Sequence, residues 1–198
     1  MKLVLASDNK NKLREIRELL GPFDVELLSK AEAGYTDEVE ETGKTFAENA
    51  RIKAEAVMLA TGLPALADDS GLCVDALGGE PGVYSARYTG NHADSDADRR
   101  ALVLRKLGYR QDRSAHFICS LCCLFPDGRE ISCEGVMDGS ILYTERGTGG
   151  FGYDSIFLPA GSEKSNAELL PDEKNAISHR GQALRKFVKE WEKNYVNQ

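Results

Sequence analysis

The sequence predicts an α/β protein with a mixed β-sheet. Segments with strand-like apolar runs and segments with helical periodicity are interleaved early in the chain, and the middle of the chain is rich in strand-forming residues. This order of elements favours the α/β class. The 198 residues suffice for one substantial hydrophobic core, so we expect a single domain over residues 1–198.

The first predicted elements are a strand, a helix and a second strand. Lys2–Ala6 is a short apolar run typical of a buried strand. Apolar residues then recur at helical spacing, and Gly21-Pro22 ends that helix. These residues are Leu13, Ile16, Leu19 and Leu20. Asp24–Leu28 predicts a second strand, and the acidic segment Gly34–Gly43 predicts an exposed loop or an irregular edge.

A second helix and a third strand follow. Thr45-Phe46-Ala47-Glu48 is a capping box, so a helix is expected to start there and to run to about Ala60. Pro64–Ala67 predicts a compact strand that leads into the polar segment Asp68-Asp69-Ser70-Gly71. A turn-rich loop is then predicted at Ala76–Gly82.

The rest of the chain predicts a helix, a β-hairpin, a glycine-rich loop and a terminal helix. Asp94–Leu107 has the pattern of a charged amphipathic helix. Ala115–Phe125 and Glu130–Met137 predict the two strands of the hairpin. Gly147–Gly152 is the glycine-rich loop, and the last helix is expected to start near Ser178. Its apolar stripe consists of Leu184, Phe187, Val188, Trp191 and Tyr195.

Composition restricts the function classes. The chain is 41% hydrophobic and 29% charged, as in an ordinary globular protein, and its net charge is -7. A protein that binds nucleic acid by releasing counterions from phosphates needs a basic surplus, which this chain lacks. We therefore expect no nucleic-acid partner, and any bound phosphate must be neutralised by a few local cations.

The N-terminal segment and the cysteines indicate a cytoplasmic protein. The apolar run at Lys2–Ala6 is too short for a signal peptide or a membrane span, so no membrane partner is expected. Five cysteines without an export signal predict reduced thiols. Cys119 and Cys122 form a CxxC motif, but in a strand they point to opposite faces, which favours core packing over metal binding.

The turn before the first helix has the composition of a phosphate-binding turn. Its residues are Ser7, Asp8, Asn9, Lys10, Asn11 and Lys12. A helix N-terminus carries a positive partial charge, so Lys10, Lys12 and Arg14 have an unfavourable sign unless an anion binds there. Free backbone N–H groups and small polar side chains would complete the cradle. The alternative is a solvated helix start with Asp8 or Asn9 as its cap.

Lys53 stands on the apolar side of the second predicted helix. At about 100° per residue, Asn49 and Lys53 fall within the arc formed by Phe46, Ala50 and Ala54. A lysine that faces the core is unfavourable unless an anionic group meets it. The alternative is a lysine whose stem lies along the surface and whose ammonium reaches water.

Asp68 and Asp69 follow the third predicted strand at its carboxyl end, where ligands bind in open α/β sheets. Adjacent residues of an extended segment face opposite ways, so the two carboxylates are not expected to share one ion. One carboxylate can hold a metal or activate water while the other braces the loop. A turn with two aspartates and a glycine is also a common structural device.

Two later segments offer groups for a ligand. Ser178-His179-Arg180 places two basic side chains in the first turn of a helix, where they could contact a base edge or a phosphate. Gly147–Asp154 places Phe151 among glycines, which allow close backbone approach while the ring offers a flat face to a base. The alternatives are a surface helix start and a hairpin loop with a core phenylalanine.

Taken together, these segments resemble the inosine triphosphate pyrophosphatase family, also called XTP/dITP diphosphatases. The resemblance covers essentially the whole chain. Its motifs are the turn at residues 7–12, Thr45 to Asn49, Ala67 to Leu72, Gly79 to Tyr88, Gly147 to Asp154, and Ser178-His179-Arg180-Gly181. It implies a long, curved mixed sheet flanked by helices, two lobes with a nucleotide cleft between them, and a homodimer.

The resemblance also implies residue roles for the triphosphate and the metal. The turn from Ser7 to Lys12 would bind the triphosphate, with Asn9 and Lys12 prominent and Lys53 assisting. Asp69 would be the catalytic carboxylate and a ligand of Mg²⁺. Glu41 would be the second acidic ligand, although Glu40 stands beside it and the sequence does not separate the two.

For the base, the resemblance implies stacking on Phe151. Gly152, Tyr153 and Asp154 would complete that wall, and Ser70 would lie next to the substrate. The donors to the oxygen-bearing edge of the purine would be Lys174, His179 and Arg180. Because such donors satisfy the oxygen of inosine and not the amino group of adenine, replacing Arg180 with Ala is expected to impair ITP turnover far more than residual ATP turnover.

The chain departs from the family pattern at a few positions. Asp8 stands where the phosphate turn usually has a glycine, and it adds negative charge near the phosphates. Asn11 often has a glycine counterpart, and Ser155 replaces a usual proline. The reaction that the resemblance implies is Mg²⁺-assisted attack of water at the α-phosphorus of ITP, dITP or XTP, which yields the monophosphate and pyrophosphate; the residues alone do not separate this from attack at another phosphorus. The alternatives are a purine nucleotide sensor without hydrolysis, a protein that stacks nucleic-acid bases on Phe151, and a related pyrophosphatase that prefers pyrimidine or modified nucleotides.

Overall fold

The computed structural model describes residues 2–23, 25–90 and 93–195, and it does not describe the side chains of Leu19, Asn194 and Tyr195. The predictions for Asp24 and for the side chains of Leu19 and Tyr195 lie outside the described residues. The strands are β1 (Lys2–Leu5), β2 (Glu26–Ser29), β3 (Ala65–Val74), β4 (Ser114–Leu124), β5 (Glu130–Ile141) and β6 (Phe157–Pro159). The helices are α1 (Lys10–Leu20), α2 (Phe46–Thr61), α3 (Asp96–Leu107), α4 (Pro171–Ile177) and α5 (His179–Tyr195).

The six strands form one mixed sheet in the order β2-β1-β3-β4-β5-β6. β1 pairs in parallel with β2, where Leu3 lies opposite Leu27, and with β3, where Leu5 lies opposite Leu66. β5 and β6 pair antiparallel, with Ser140 opposite Leu158. The predicted α/β class with a mixed sheet is confirmed, whereas the curvature and the cleft that the resemblance implies stay predictions.

The chain forms two compact units. The first unit contains the residues up to Asp69, Cys119–Gly135, and the segment from Arg180 onward. The second unit contains Ser70–Ile118 and Val136–His179. The prediction of one functional domain over residues 1–198 therefore stays a prediction.

Two apolar clusters build the first unit. Leu3 and Leu5 of β1 belong to one cluster, together with Ile16 of α1 and Leu184 of α5. Val4 of β1 belongs to the other cluster, which includes buried alanine and valine side chains of α2. Because neighbouring strand residues point to opposite faces, helices cover both faces of β1.

The second unit has a cluster of its own, and β4 shows how alternation assigns side chains. Val103 of α3, Phe117 of β4 and Phe157 of β6 pack together there. Within the first unit, Cys119 and Cys122 of β4 belong to different apolar clusters. They therefore point to opposite faces, as predicted, and both are buried.

The helix starts follow their capping residues. The Asn9 side chain caps α1, and the predicted capping box of Thr45 and Glu48 opens α2. Ser95 forms a second capping box with Asp98, so α3 begins at Asp96 and not at Asp94 as predicted. In the described ranges, no helix combines the length and apolar character needed to cross a bilayer.

Several predicted boundaries were wrong. β3 continues through Val74, so Asp68 and Asp69 lie inside a strand and not at its carboxyl end. Aspartate, serine and glycine favour turns locally, but here the segment stays extended as part of β3, which lies inside the sheet next to β4. Helix α4 was not predicted, although Pro171 at its first turn and Glu173 are start signals.

Candidate functional site

The predicted phosphate turn is a capped helix start. The Asn9 Oδ1 accepts hydrogen bonds from the backbone N–H groups of Asn11 at 3.0 Å and Lys12 at 3.2 Å. The Ser7 hydroxyl oxygen accepts one from the Asn9 N–H at 3.2 Å. Asp8, Asn9 and Lys10 are exposed, and the first turn of α1 contains no acidic residue. The cap that we considered as an alternative is therefore present, and phosphate binding at this turn stays a prediction.

Asp68 is the centre of a buried ion-pair cluster in the first unit. Its side chain is 0% exposed, and its Oδ2 lies 2.9 Å from the Lys12 Nζ and 3.4 Å from the Arg180 Nε. The Arg180 guanidinium also donates to the Glu15 carboxylate. Burial alone would raise the pKa of the Asp68 carboxyl, but Lys12, Arg180 and Lys53 outweigh burial and hold that pKa well below its ordinary value. Asp68 is therefore ionised at neutral pH, and its ion pairs tie α1 and the start of α5 to β3.

Asp69 faces a different set of partners, as the alternation of the strand predicts. The Lys53 Nζ donates to Asp69 Oδ1 at 3.1 Å and to Glu41 Oε1 at 2.8 Å. The Asn49 Nδ2 donates to Asp69 Oδ2 at 3.2 Å. The hypothesis that an anionic group meets Lys53 on the core side of α2 is thus confirmed, and two carboxylates do so.

The protonation of this group differs from that of Asp68. Burial and the neighbouring Glu41 carboxylate raise the pKa of Asp69, and Lys53, Lys12 and Asn49 only partly offset them. For Lys53, burial lowers the pKa, but Asp69, Asp68 and Glu41 outweigh it and raise that pKa. A carboxylate that is held in place and binds a proton more readily than usual suits a general base.

Asn49 also fixes the loop that carries Glu41. It is fully buried, and its Oδ1 accepts a hydrogen bond from the Gly43 N–H at 2.8 Å. A Cβ at position 43 would lie 2.6 Å from that oxygen, so only glycine fits. Glu41 is thereby held beside Asp69, whereas Glu40 is exposed.

The carboxylates have the chemistry of a magnesium site that a substrate would complete. Among the described residues, no group of three or more His, Cys, Asp or Glu side chains could hold a metal. Glu41 and Asp69 instead form a pair of carboxylates that both contact the Lys53 ammonium group. Mg²⁺ is commonly held by one or two carboxylates together with substrate phosphates, and the pair fits that pattern.

In the second unit, the glycine-rich loop is shaped by Asp154. The Asp154 Oδ2 accepts hydrogen bonds from the Phe151 N–H and the Lys174 Nζ, both at 2.9 Å. The Lys174 Nζ lies 4.8 Å from the centroid of the Phe151 ring. Gly150 has φ 73°, and a Cβ there would lie 2.2 Å from the Asp154 carboxylate. Three of the predicted base-binding residues are thus neighbours.

Both peptide groups at Gly152 form hydrogen bonds with side chains of α3. Its N–H donates to Asp96 Oδ2 at 2.7 Å, and its carbonyl accepts from the Arg100 Nη1 at 2.9 Å. The Tyr153 hydroxyl donates to the Ser85 carbonyl at 2.7 Å. Sequence reasoning missed Asp96 and Arg100, because a charged helix start has many possible partners.

The remaining predicted residues are placed as follows. The His179 ring is buried and stacks on Phe117 at 4.8 Å with an interplanar angle of 10°. Ser70 is half-buried in β3, directly after Asp69. Arg180 belongs to the first unit, unlike Lys174 and His179, and its guanidinium contacts Glu15 and Asp68. The base-reading role of Arg180 stays a prediction, and its bracing of Asp68 is a contact that the sequence did not predict.

The chain is similar to known proteins along most of its length. A sequence profile of the Ham1 family matches residues 3–190. A Streptomyces avermitilis protein named dITP/XTP pyrophosphatase is 46% identical, over 94% of this chain and 95% of the relative. A Geobacter sulfurreducens protein of the same name is 49% identical, over 92% of each chain.

A solved structure is similar as well. The structure of a HAM1 protein from Coxiella burnetii is 44% identical and has a TM-score of 0.90, covering 98% of this chain and 99% of that chain. The resemblance drawn from the sequence motifs is thereby confirmed. The chain belongs to the Ham1 family.

Proposed function

We propose that this protein is a nucleoside triphosphate pyrophosphatase that hydrolyses the non-standard purine nucleotides ITP, dITP and XTP to the monophosphate and pyrophosphate, and so removes them from the nucleotide pool. The observation that carries the proposal is the Asp69 carboxylate, which Lys53 and Asn49 hold beside Glu41. The names of the relatives support the substrate class. From the sequence, we also expect a cytoplasmic homodimer without a nucleic-acid partner.

The triphosphate would bind at the start of α1. Backbone N–H groups of the turn from Ser7 to Lys12 and the ammonium groups of Lys12 and Lys53 are the donors proposed for it. The Lys12 ammonium already pairs with Asp68 at 2.9 Å, so its position is set before substrate arrives. Pre-positioned cations of this kind favour a transition state with more negative charge than the substrate.

Glu41 and Asp69 are the proposed ligands of Mg²⁺. When bound, the ion would neutralise phosphate charge and polarise the phosphoryl group. Because Lys53 contacts both carboxylates, they are neighbours before any metal binds.

In the proposed reaction, Asp69 takes a proton from the attacking water. The water oxygen forms a bond to the α-phosphorus while the bond from that phosphorus to the bridging oxygen breaks, and pyrophosphate leaves with the bond electrons. The Asn49 hydrogen bond fixes the orientation of the Asp69 carboxylate for its role as the base. Lys12 and Lys53 would stabilise the charge that develops on the phosphoryl oxygens.

The base would stack on Phe151, beside the peptide groups of Gly152, Tyr153 and Asp154. Lys174, His179 and Arg180 are the proposed donors to the oxygen at position six, and Ser70 would contact the substrate nearby. The Lys174 ammonium lies above the Phe151 ring, which supports its role at the edge of a stacked base. A buried donor that meets an oxygen in hypoxanthine and an amino group in adenine discriminates strongly between them.

The experiment is a substrate panel with product analysis. Purified protein is incubated with Mg²⁺ and separately with ITP, dITP, XTP, ATP, GTP, CTP and UTP. We expect monophosphate and pyrophosphate from the first three, little turnover of the others, and a loss of about 10²–10⁴-fold in Asp69→Asn. The matched control is Asp37→Asn, which changes an exposed aspartate of the same unit.

Two results would contradict the proposal. Diphosphate and orthophosphate as products would mean attack at the γ-phosphorus. Tight ITP binding without turnover would instead support the nucleotide sensor.

A further inference from the structure

Lys30 is a buried lysine that the proposed mechanism does not use. It follows β2 directly, and its side chain is 8% exposed. Its Nζ donates to the Asp37 carbonyl at 2.9 Å and lies 5.6 Å from the centroid of the Tyr35 ring. Lysine is rarely buried without an anionic partner, and here the Nζ lies 2.6 Å from Asp8 Oδ2.

Asp8 is the residue of the phosphate turn with the wrong charge. It precedes the cap residue Asn9, and its side chain is 67% exposed. An exposed carboxylate at this place would repel a triphosphate. Lys12 of the same turn forms its ion pair with Asp68 and not with Asp8. The ammonium group that meets Asp8 comes from Lys30.

We propose that Lys30 is a positioning residue for triphosphate binding: it neutralises Asp8 and fixes the Asp8 carboxylate, so that the turn accepts a polyanion. This inference rests on the proposed function, because it assumes that the turn from Ser7 to Lys12 binds the phosphates. Lys30 acts through Asp8 and need not touch the substrate. Its effect is therefore electrostatic and depends on the charge at position 8.

The double-mutant cycle of Lys30→Met and Asp8→Asn tests this dependence. In Lys30→Met, the unpaired Asp8 should raise KM for ITP about five- to tenfold, the effect of one charge near a polyanion at the surface. The value of kcat should change little, because Asp69, Glu41 and Lys53 keep their contacts. The double variant should restore KM to within about twofold, and the KM increase should shrink at high salt.

Asp8→Asn alone gives a second test, which does not remove the buried lysine. It frees the charge of Lys30 near the turn, so KM for ITP should fall by about two- to fivefold at low salt. Lys30→Arg keeps a cation and should resemble the wild type more than Lys30→Met does. Lys44→Met is the control, because Lys44 is an exposed lysine of the same unit.

The outcomes separate this inference from the proposed function. Failure of the wild type to form monophosphate and pyrophosphate would overturn the function. The inference is then judged on calorimetric binding of ITP in the Asp69→Asn background, with the same fold-changes expected in Kd. A KM increase in Lys30→Met that Asp8→Asn does not reverse would overturn it and would make Lys30 a direct phosphate ligand or a purely structural residue. An unchanged KM in both single variants would overturn it as well.

Discussion

The ion-pair cluster of the first unit and the glycine-rich loop of the second unit are built by opposite means. In the cluster, charged side chains hold each other: Asp68 pairs with Lys12 and Arg180, and Asp69 pairs with Lys53. In the loop, charged side chains hold the backbone. They are Asp96 and Arg100 at Gly152, and Asp154 at the Phe151 N–H.

The two regions should therefore respond differently when a charged side chain is removed. Removing a charge from the cluster leaves a buried partner uncompensated and shifts the pKa values of its neighbours. Removing a charge from around the loop frees a peptide group and changes the shape of the surface that it presents. The first kind of change should therefore affect stability and turnover, and the second should affect KM and base discrimination.

The largest expected effect is on stability, from Asp68→Asn. The variant leaves the Lys12 and Arg180 charges near a neutral side chain, and breaking a buried ion pair costs about 3–5 kcal/mol. Urea unfolding of the metal-free protein at neutral pH measures this loss, with Glu55→Gln on the exposed face of α2 as control. Equal stability of the variant and the wild type would mean that the desolvation cost of Asp68 cancels its ion pairs.

The same carboxylate predicts the direction of the pH dependence. The pKa of folded Asp68 lies below the ordinary value of 3.8, so the unfolded chain takes up this proton first as the pH falls. The stability from Asp68 is thus fully present above the ordinary value and is lost progressively as the pH falls below it toward the lowered pKa of the folded state. We therefore expect the unfolding free energy, measured in EDTA between neutral pH and about pH 3, to fall more steeply with decreasing pH in the wild type than in Asp68→Asn. Equal slopes in the two proteins would contradict the lowered pKa of Asp68.

Lys53→Met should reduce turnover more than it changes KM. It removes the cation that orients Asp69 and Glu41, and the loss of one such preorganised group costs about 10²–10³-fold in kcat. Steady-state kinetics with ITP gives the value, and Lys44→Met in the exposed segment before α2 is the matched control. An equal loss in both lysine variants would show that general charge, and not the Lys53 contacts, sets the rate.

Asp96→Ala tests the loop with a smaller expected effect. Loss of the hydrogen bond to the Gly152 N–H should raise KM for ITP about three- to tenfold and narrow the ratio of ITP to ATP turnover. Asp96→Asn keeps an oxygen acceptor and should lie closer to the wild type. Arg99→Ala controls for the ion pair that Asp96 also makes, because it leaves the Gly152 contact in place. If only kcat fell, Asp96 would act on turnover, as we expect of the ion-pair cluster, and not on substrate binding or base discrimination.

Thr45→Ala sets the scale for a change outside both regions. The Thr45 hydroxyl accepts a hydrogen bond from the Glu48 N–H, and losing a helix cap costs about 1 kcal/mol. Thermal unfolding should show this loss, while KM and kcat per folded molecule remain near the wild-type values. A kinetic change as large as that of Lys53→Met would mean that the start of α2 is itself part of the site.

Local sequence signals predicted most of the elements and several residues of the candidate site. The period of the helix placed Lys53 and Asn49 on the core side of α2, and alternation separated Asp68 from Asp69. Turn composition, however, wrongly ended β3 before Asp68, because the local preference of aspartate and glycine for turns is weaker than the tertiary packing of a strand inside a sheet.

The sequence by itself determined the class of the fold, the family and a set of acidic and basic candidate residues for the site, because periodicity, caps and ordered motifs are local properties of the chain. Only the tertiary structure decided which charges meet. Arg180 and Glu15 are 165 positions apart, and Asp96 reaches Gly152 over 56 positions. Such contacts depend on how β-strands pair and helices pack. The sequence around a basic residue does not show which distant acidic residue will lie beside it in the folded protein.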